Sequence, residues 1–368
     1  MRLQAPALFR KEGAAAAAGV FSRGHHKLCG CVTLALPLGE LSAATPTERA
    51  FRGKKESRSP MVQLTITGND AGQRLDRFLR KVYPKLPAAL MYKYIRIKRI
   101  KIGGSRTDRG YILREGDSLE LYVCDHLLVR QERSDFKKAG GLNIVYEDDN
   151  IIVINKPAGL LCHSDATGDD SLVPRVLKYL WSKGEYDPAK ENSFAPALCN
   201  RIDRSTSGLV AAAKNAESLR MLALKIKNRE ISRFYICRAE GVLSPEQGRL
   251  SAYYKKDTAN NKAIVSEDMF EGAVKAELDY RLLSHDGRDS LVEAELITGK
   301  SHQIRAQFSL IGHPLLGDRK YGGRVVQGSA GQSLCAYKIG FDFTQDGGIL
   351  EYLRGQTFSL DIKECGGV

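Results

Sequence analysis

The stretch Asn200-Arg201-Ile202-Asp203-Arg204-Ser205-Thr206-Ser207-Gly208-Leu209-Val210 decides how this chain is read. One carboxylate stands between two arginines, a Ser/Thr/Gly turn follows, and an apolar run reaches to Ala213. Flanking guanidinium groups favour the charged form of a carboxylate, and small residues let backbone or a ligand come close. Asp followed by Ser, Thr and Gly also suits an ordinary turn or helix N-cap. The residues that favour chemistry over structure lie elsewhere in the chain.

A chain of 368 residues with 43% hydrophobic and 27% charged side chains is long enough for two domains with real cores. No apolar run approaches the roughly 18 residues of a membrane-spanning helix. The eight cysteines are scattered, with Cys29 and Cys31 the one close pair. That is neither a disulfide framework nor a zinc pattern; it fits reduced thiols in a cytoplasmic compartment. The net charge of +13 points to a polyanionic partner. The excess sits in the first third. Residues 1–60 carry 10 basic and 4 acidic side chains and residues 61–135 carry 15 and 9, whereas residues 136–368 carry 31 and 30. A basic front on a nearly neutral body separates anchoring from catalysis.

Working outward, the chain divides into four parts. Residues 1–60 include the low-complexity run Ala14 to Ala18 and the polar stretch Arg49 to Pro60. They read as a disordered or non-native N-terminal extension: an organellar transit peptide, or sequence upstream of a start at Met61. Residues 61–130 read as a small α/β module. It has a strand through Val62, Leu64 and Ile66, a helix from Gln73 to Tyr83, a basic second helix from Ala88 to Lys98, a strand into Gly103-Gly104, and a strand through Leu119, Leu121 and Val123. Arg74, Arg77, Lys93, Arg96, Arg99 and Lys101, with Tyr92 and Tyr94 among them, form a surface able to meet phosphates and stack on bases. The polar stretch 131–141 reads as a linker. Residues 142–362 are strand-rich, with helices at Leu172 to Trp181 and Ala216 to Lys227. The expected class is α+β.

Three more segments accompany Asp203: Ile231-Ser232-Arg233-Phe234-Tyr235; Thr298-Gly299-Lys300-Ser301-His302-Gln303-Ile304-Arg305; and Ile311-Gly312-His313-Pro314 with Gly317-Asp318 and Tyr321-Gly322. Ala294 to Ser301 mimics the phosphate-binding loop G-x-x-x-x-G-K-[ST]. Its first glycine is alanine, however, and Val292 to Leu296 has the pattern of a strand. There is no G-x-S-x-G elbow to make Ser301 a nucleophile.

Together these segments resemble the RluA family of pseudouridine synthases. Arg201-Ile202-Asp203-Arg204-Ser205-Thr206-Ser207-Gly208-Leu209 matches R-L/I-D-x-x-T-S-G-L. Thr298 to Arg305 matches T-G-R-x-H-Q-I/L-R. Asn155-Lys156-Pro157-Ala158-Gly159-Leu160 matches N-K-P-x-G-L, and the Ile311 to Gly322 stretch completes the order. The departures are Asn200 and Gln307 in place of histidines, Lys300 in place of an arginine, and Ser232-Arg233 in place of a lysine-containing pattern. The front module resembles the S4 RNA-binding domain, through Arg74-Leu75-Asp76, the basic second helix, the glycine turn and Arg114-Glu115-Gly116-Asp117; the family's usual Asn-Gly is Gly103-Gly104 here.

The resemblance implies a catalytic domain of the pseudouridine synthase type, with a mixed, mostly antiparallel sheet, behind a small α/β S4-like domain. It implies isomerisation of uridine in RNA without cofactor or metal. Asp203 is then the essential carboxylate, acting as nucleophile at the sugar or as base at C2′. Tyr235 is the stacking tyrosine and Arg305 the partner of Asp203. The basic residues of the module, with Arg201, His302 and Gln303, are expected to contact RNA. The expected substrate is large-subunit ribosomal RNA, with transfer RNA the alternative. A monomer in the cytoplasm with no membrane association is expected, the organellar location being the alternative.

Overall fold

The run Ile151-Ile152-Val153-Ile154 is apolar at every position because protein covers it on both sides. Alternate residues enter two different cores: Ile152 and Ile154 one, Ile151 and Val153 the other. The same division splits Val210 and Ala212 from Leu209, Ala211 and Ala213. Continuous hydrophobic runs of this kind mark central strands packed on both faces. The computed structural model describes residues 62–130, 136, 138–165, 168–328 and 331–365. The N-terminal extension 1–60, the start at Met61 and residues 131–135 of the expected linker lie outside the described residues.

A small four-stranded sheet comes first: β1 (Val62–Thr65), β2 (Ile100–Ile102), β3 (Ser105–Arg106) and β4 (Ser118–Leu121), in the order β1-β4-β2-β3. Helices α1 (Leu75–Val82) and α2 (Ala88–Arg96) share one core with it, built on Phe78, Leu79, Met91, Ile95, Leu119 and Leu121. Both helices lie within the spans that hydrophobic spacing predicts.

The large sheet is built from β5 (Ile144–Glu147), β6 (Ile151–Lys156), β7 (Ala197–Leu198), β8 (Ser207–Ala213), β9 (Ile231–Glu240), β10 (Gln247–Asp257), β11 (Lys262–Ser266), β12 (Val274–His285), β13 (Asp289–Leu296), β14 (Leu334–Phe341) and β15 (Thr357–Ser359). Its order is β11-β10-β12-β13-β9-β14-β8-β6-β5, with β15 on β14 and β7 on β8. Among the described residues the β14–β8 pair is parallel and the other pairs are antiparallel. The sheet is thus mixed and mostly antiparallel, as the sequence resemblance implies. Helices α3 (Leu172–Ser182) and α5 (Gln303–Leu310) contribute Val176, Leu180, Ile304 and Phe308 to the core on one face. Helix α4 (Ala216–Lys227) places Leu222 in the core on the other. Among the described residues no helix is long and apolar enough to cross a membrane.

The end of the expected linker needs correcting. Phe136 is buried, with its ring against Trp181 and Tyr186. Lys178 and Arg175 of α3 donate to the carbonyls of Ala139 and Gly141. A single aromatic residue in a polar stretch is enough to anchor it.

The small sheet's first loop is fastened to the large domain. Asp70 is fully buried, and its carboxylate accepts from Thr67 Oγ1, Asn192 Nδ2, Ser193 Oγ and Ser193 N–H at 3.0, 2.8, 2.6 and 3.2 Å. Asn69 donates to Glu191 and accepts from the Ala216 N–H at the start of α4.

Candidate active site

Strand β8 runs antiparallel to β6, so the loop that enters β8 lies beside the loop that leaves β6. Lys156 stitches the two together. Its ammonium group is fully buried and donates to the carbonyls of Pro157, Leu160 and Arg204 at 2.9, 2.7 and 3.1 Å. Burial lowers its pKa to about 8. The Gly159 N–H adds a bond to the Arg204 carbonyl, and the Cys162 thiol one to that of Ile202. Asn155-Lys156-Pro157-Ala158-Gly159-Leu160 therefore forms the floor under the Asp203 loop. The turn closes with the Thr206 N–H donating to the Asp203 carbonyl at 3.1 Å.

Gly208 follows with φ +112°. A Cβ there would stand 2.2 Å from the Ala336 carbonyl oxygen, because β14 comes alongside at this point. Both the backbone angle and the contact require glycine.

The partner of Asp203 arrives from α5. Arg305 Nη1 donates to Asp203 Oδ2 at 3.0 Å; the carboxylate is 25% exposed and the guanidinium 9%. Arg305 gives its other edge to Asp318, Nε to Oδ2 at 2.6 Å and Nη2 to Oδ1 at 2.8 Å, and Asp318 has no exposure at all. Burial opposes the charge on Arg305, but the hydrogen bonds and charges of Asp318 and Asp203 outweigh it and raise its pKa. A bidentate pair of this kind fixes the plane of the guanidinium, and with it the direction of the N–H bond offered to Asp203.

His302, immediately before α5, takes the left-handed conformation with φ 56°. Its Nε2 lies 3.8 Å from Asp203 Oδ2 and its Nδ1 3.0 Å from Tyr321 Oη. Burial holds the imidazole below the ordinary histidine range, against the pull of Asp203. Tyr235 on β9 belongs to the same core as Ile202. Burial pushes its hydroxyl up to about 12, and the charge of Asp203 adds to the rise.

Asp203, Tyr235 and the pair His302 and Arg305 thus gather from three separate segments. The flanking arginines do not serve as expected. Arg204 donates to the Gly159 carbonyl and pairs with Asp169 at 3.1 Å, and Arg201 is exposed. Residues adjacent in an extended loop point apart, so the counter-charge comes from Arg305 instead. Gln303 opens α5. It is buried at 2% exposure, accepts from Thr298 Oγ1 and the Lys300 N–H, and donates to the Glu277 carbonyl. These bonds tie the loop 298–300 to β12. In the small domain Arg77, Lys93 and Arg96 are exposed, Arg99 and Lys101 lie over the rings of Tyr94 and Tyr122, and Arg74 is paired with Asp76. Sequence reading gave Asp318 and Tyr321 no role. The available signal was that a buried arginine needs a second counter-charge. The look-alike phosphate loop fails as expected, since Ala294 to Leu296 belong to β13.

The RNA pseudouridylate synthase family matches residues 150–310. An uncharacterized RNA pseudouridine synthase of Mycoplasma capricolum is 33% identical over 76% of this chain and 92% of its own length. Ribosomal large subunit pseudouridine synthase D of Borreliella burgdorferi is 32% identical over 76% and 86%. Among solved structures, human RNA pseudouridylate synthase domain containing 4 superposes with a TM-score of 0.45 at 23% identity, over 60% of this chain and 88% of that one. This chain belongs to the RNA pseudouridine synthases, with a catalytic domain of the RluA type, and is an enzyme that isomerises uridine in RNA.

Proposed function

We propose that this enzyme converts specific uridines of large-subunit ribosomal RNA to pseudouridine, with Asp203 as the essential carboxylate and no cofactor. The observation that carries the assignment is the partly open Asp203 carboxylate, oriented by an Arg305 that Asp318 locks from behind. The reaction is an isomerisation. The N1–C1′ bond breaks, the uracil turns, a C5–C1′ bond forms, and the proton lost from C5 is balanced by one gained at N1. Asp203 serves as nucleophile at the sugar or as base at C2′, and both routes start from the same oriented anion. Extruding the uridine costs a few kcal/mol, which contacts to the flanking RNA must offset.

Tyr235 supplies the ring for the extruded base. With its hydroxyl pushed up to about 12 it enters as a phenol, a stacking surface and hydrogen-bond donor. Residues 61–130 act as an S4-like RNA anchor in front of the catalytic domain, 142–362. The exposed Arg77, Lys93 and Arg96 support this, as phosphate contacts position a substrate without reading its sequence. Ribosomal RNA as substrate is supported by relatives such as ribosomal large subunit pseudouridine synthase D of Borreliella burgdorferi. The eight cysteines are scattered through the sequence in neither a disulfide nor a zinc pattern, which supports a reducing, cytoplasmic setting.

The test is Asp203→Asn together with pseudouridine mapping of total RNA from cells with and without the gene. The variant is expected to form no pseudouridine while binding RNA within about twofold of the parent. Full activity in Asp203→Asn would remove the carboxylate's role. Lost sites confined to transfer RNA would remove the ribosomal assignment.

A further inference from the structure

Tyr321 is bonded at both ends of its hydroxyl. The Ala263 N–H on β11 donates to Oη at 2.6 Å, and the same oxygen lies 3.0 Å from His302 Nδ1. A phenol that accepts from one side still has its own proton to give, and His302 Nδ1 is the acceptor in reach. A neutral imidazole that accepts at Nδ1 carries its proton on Nε2. Nε2 faces Asp203 Oδ2 at 3.8 Å. The opposite tautomer would turn a lone pair toward that carboxylate and leave the phenol proton without this acceptor. The two ends of the ring therefore select the same tautomer.

Burial of the imidazole, more than the charged groups around it, opposes a second proton. Burial is the largest influence, Arg305 and Lys320 act in the same direction, and Asp203 and Asp318 act against them; the net shift is downward. The Tyr321 ring is itself held between cations, with Arg305 and Lys262 at 5.1 and 5.2 Å from its centroid. The left-handed backbone at His302 is a conformation that non-glycine residues rarely keep unless their surroundings impose it.

We propose that Tyr321 and His302 form a positioning pair: Tyr321 fixes His302 as the Nε2–H tautomer, and His302 turns that N–H toward Oδ2 of Asp203, so that Oδ1 is the oxygen presented to the uridine. The proposal rests on the reading of Asp203 as the essential carboxylate. Both groups that approach the carboxylate converge on Oδ2, Arg305 Nη1 by a hydrogen bond and His302 Nε2 from slightly farther away. Among the described residues Oδ1 receives no hydrogen bond from the protein. Closure by roughly 0.6 Å or more as RNA binds would complete the second bond, since catalytic hydrogen bonds often tighten only in the substrate complex. His302 then acts through Asp203, and Tyr321 through His302.

The test joins a spectroscopic and a kinetic measurement on the full chain. Nitrogen-15 NMR of the labelled imidazole reads the tautomer at neutral pH. The parent is expected to show protonated Nε2 and unprotonated Nδ1, and Tyr321→Phe, which keeps the ring, is expected to lose that bias. Single-turnover rates on substrate RNA are expected to fall about 10- to 100-fold in Tyr321→Phe and in His302→Leu, with RNA affinity within about twofold. His302→Gln, whose side-chain amide can also offer an N–H to Oδ2, is expected to recover most of the rate lost by His302→Leu. A parent imidazole protonated on Nδ1, or a Tyr321→Phe variant with unchanged tautomer and unchanged rate, overturns the proposal. The tautomer measurement needs no turnover, so its failure is distinct from a failure of Asp203→Asn to abolish activity.

Discussion

Asp318 shows what a residue far from the reacting atoms does for them. It lies behind Arg305, fully enclosed, and fixes the guanidinium by two hydrogen bonds. Asp318→Asn keeps the shape and removes the charge, leaving Arg305 with Asp203 as its remaining carboxylate partner. Breaking a buried pair from one side costs about 3–5 kcal/mol. We expect chemical denaturation to show a loss near the lower end, since asparagine still accepts one bond, and the single-turnover rate to fall at least about tenfold. An unchanged rate would mean that Arg305 is oriented by something else. The Asp203–Arg305 pairing was legible in the sequence only through the resemblance of the two motifs. Reading by adjacency misassigned it to Arg201 and Arg204, because neighbours along a loop seldom face the same way. The contact between Tyr321 and His302 was not legible at all: it depends on how nineteen positions of helix and turn fold back.

Among the elements, the crossing of β8 and β14 carries the most. Gly208 brings two backbones together where a side chain cannot fit, five positions after Asp203. Gly208→Ala combines a disfavoured backbone angle with a contact that backbone atoms cannot relieve cheaply. A loss of about 3 kcal/mol is expected in equilibrium unfolding, together with lower activity as the Asp203 turn shifts. A loss below about 1 kcal/mol would show that the strands can part. The glycine itself was visible as part of Ser207-Gly208-Leu209, but its reason was not, since β14 comes from more than a hundred residues downstream. Local patterning did well where the signal is local. The helix at Ala216–Lys227 has the bounds that spacing predicts, and the central strands showed as apolar runs. It did not mark Phe136, whose ring is buried against Trp181 and Tyr186.

Across the whole molecule, the uneven charge in the sequence corresponds to two separately cored parts, one core under the small sheet and two on the faces of the large one. The sequence showed that division but not the joint. Asp70, in Gly68-Asn69-Asp70-Ala71-Gly72, is buried and accepts from Asn192 and Ser193 across the boundary. Asp70→Ala leaves those donors without their acceptor, a cost of about 1–3 kcal/mol for each buried group left unpaired. Hydrogen exchange at the Ser193 and Ala216 amides is expected to quicken at least about tenfold as the joint opens locally, while the amides of β8 keep their protection. Unchanged exchange at both sites would mean that other contacts hold the two parts together.

A recognition surface on a slack cord tries many separations and settles for whichever target is near. Asp70 removes the slack. Given the RNA-holding role proposed for the small sheet and its helices, the enzyme becomes a gauge: the distance between where an RNA is gripped and where its base is swung out is set by the protein. A transcript of the wrong span must bend to fit, and the cost of that bending falls on the transcript.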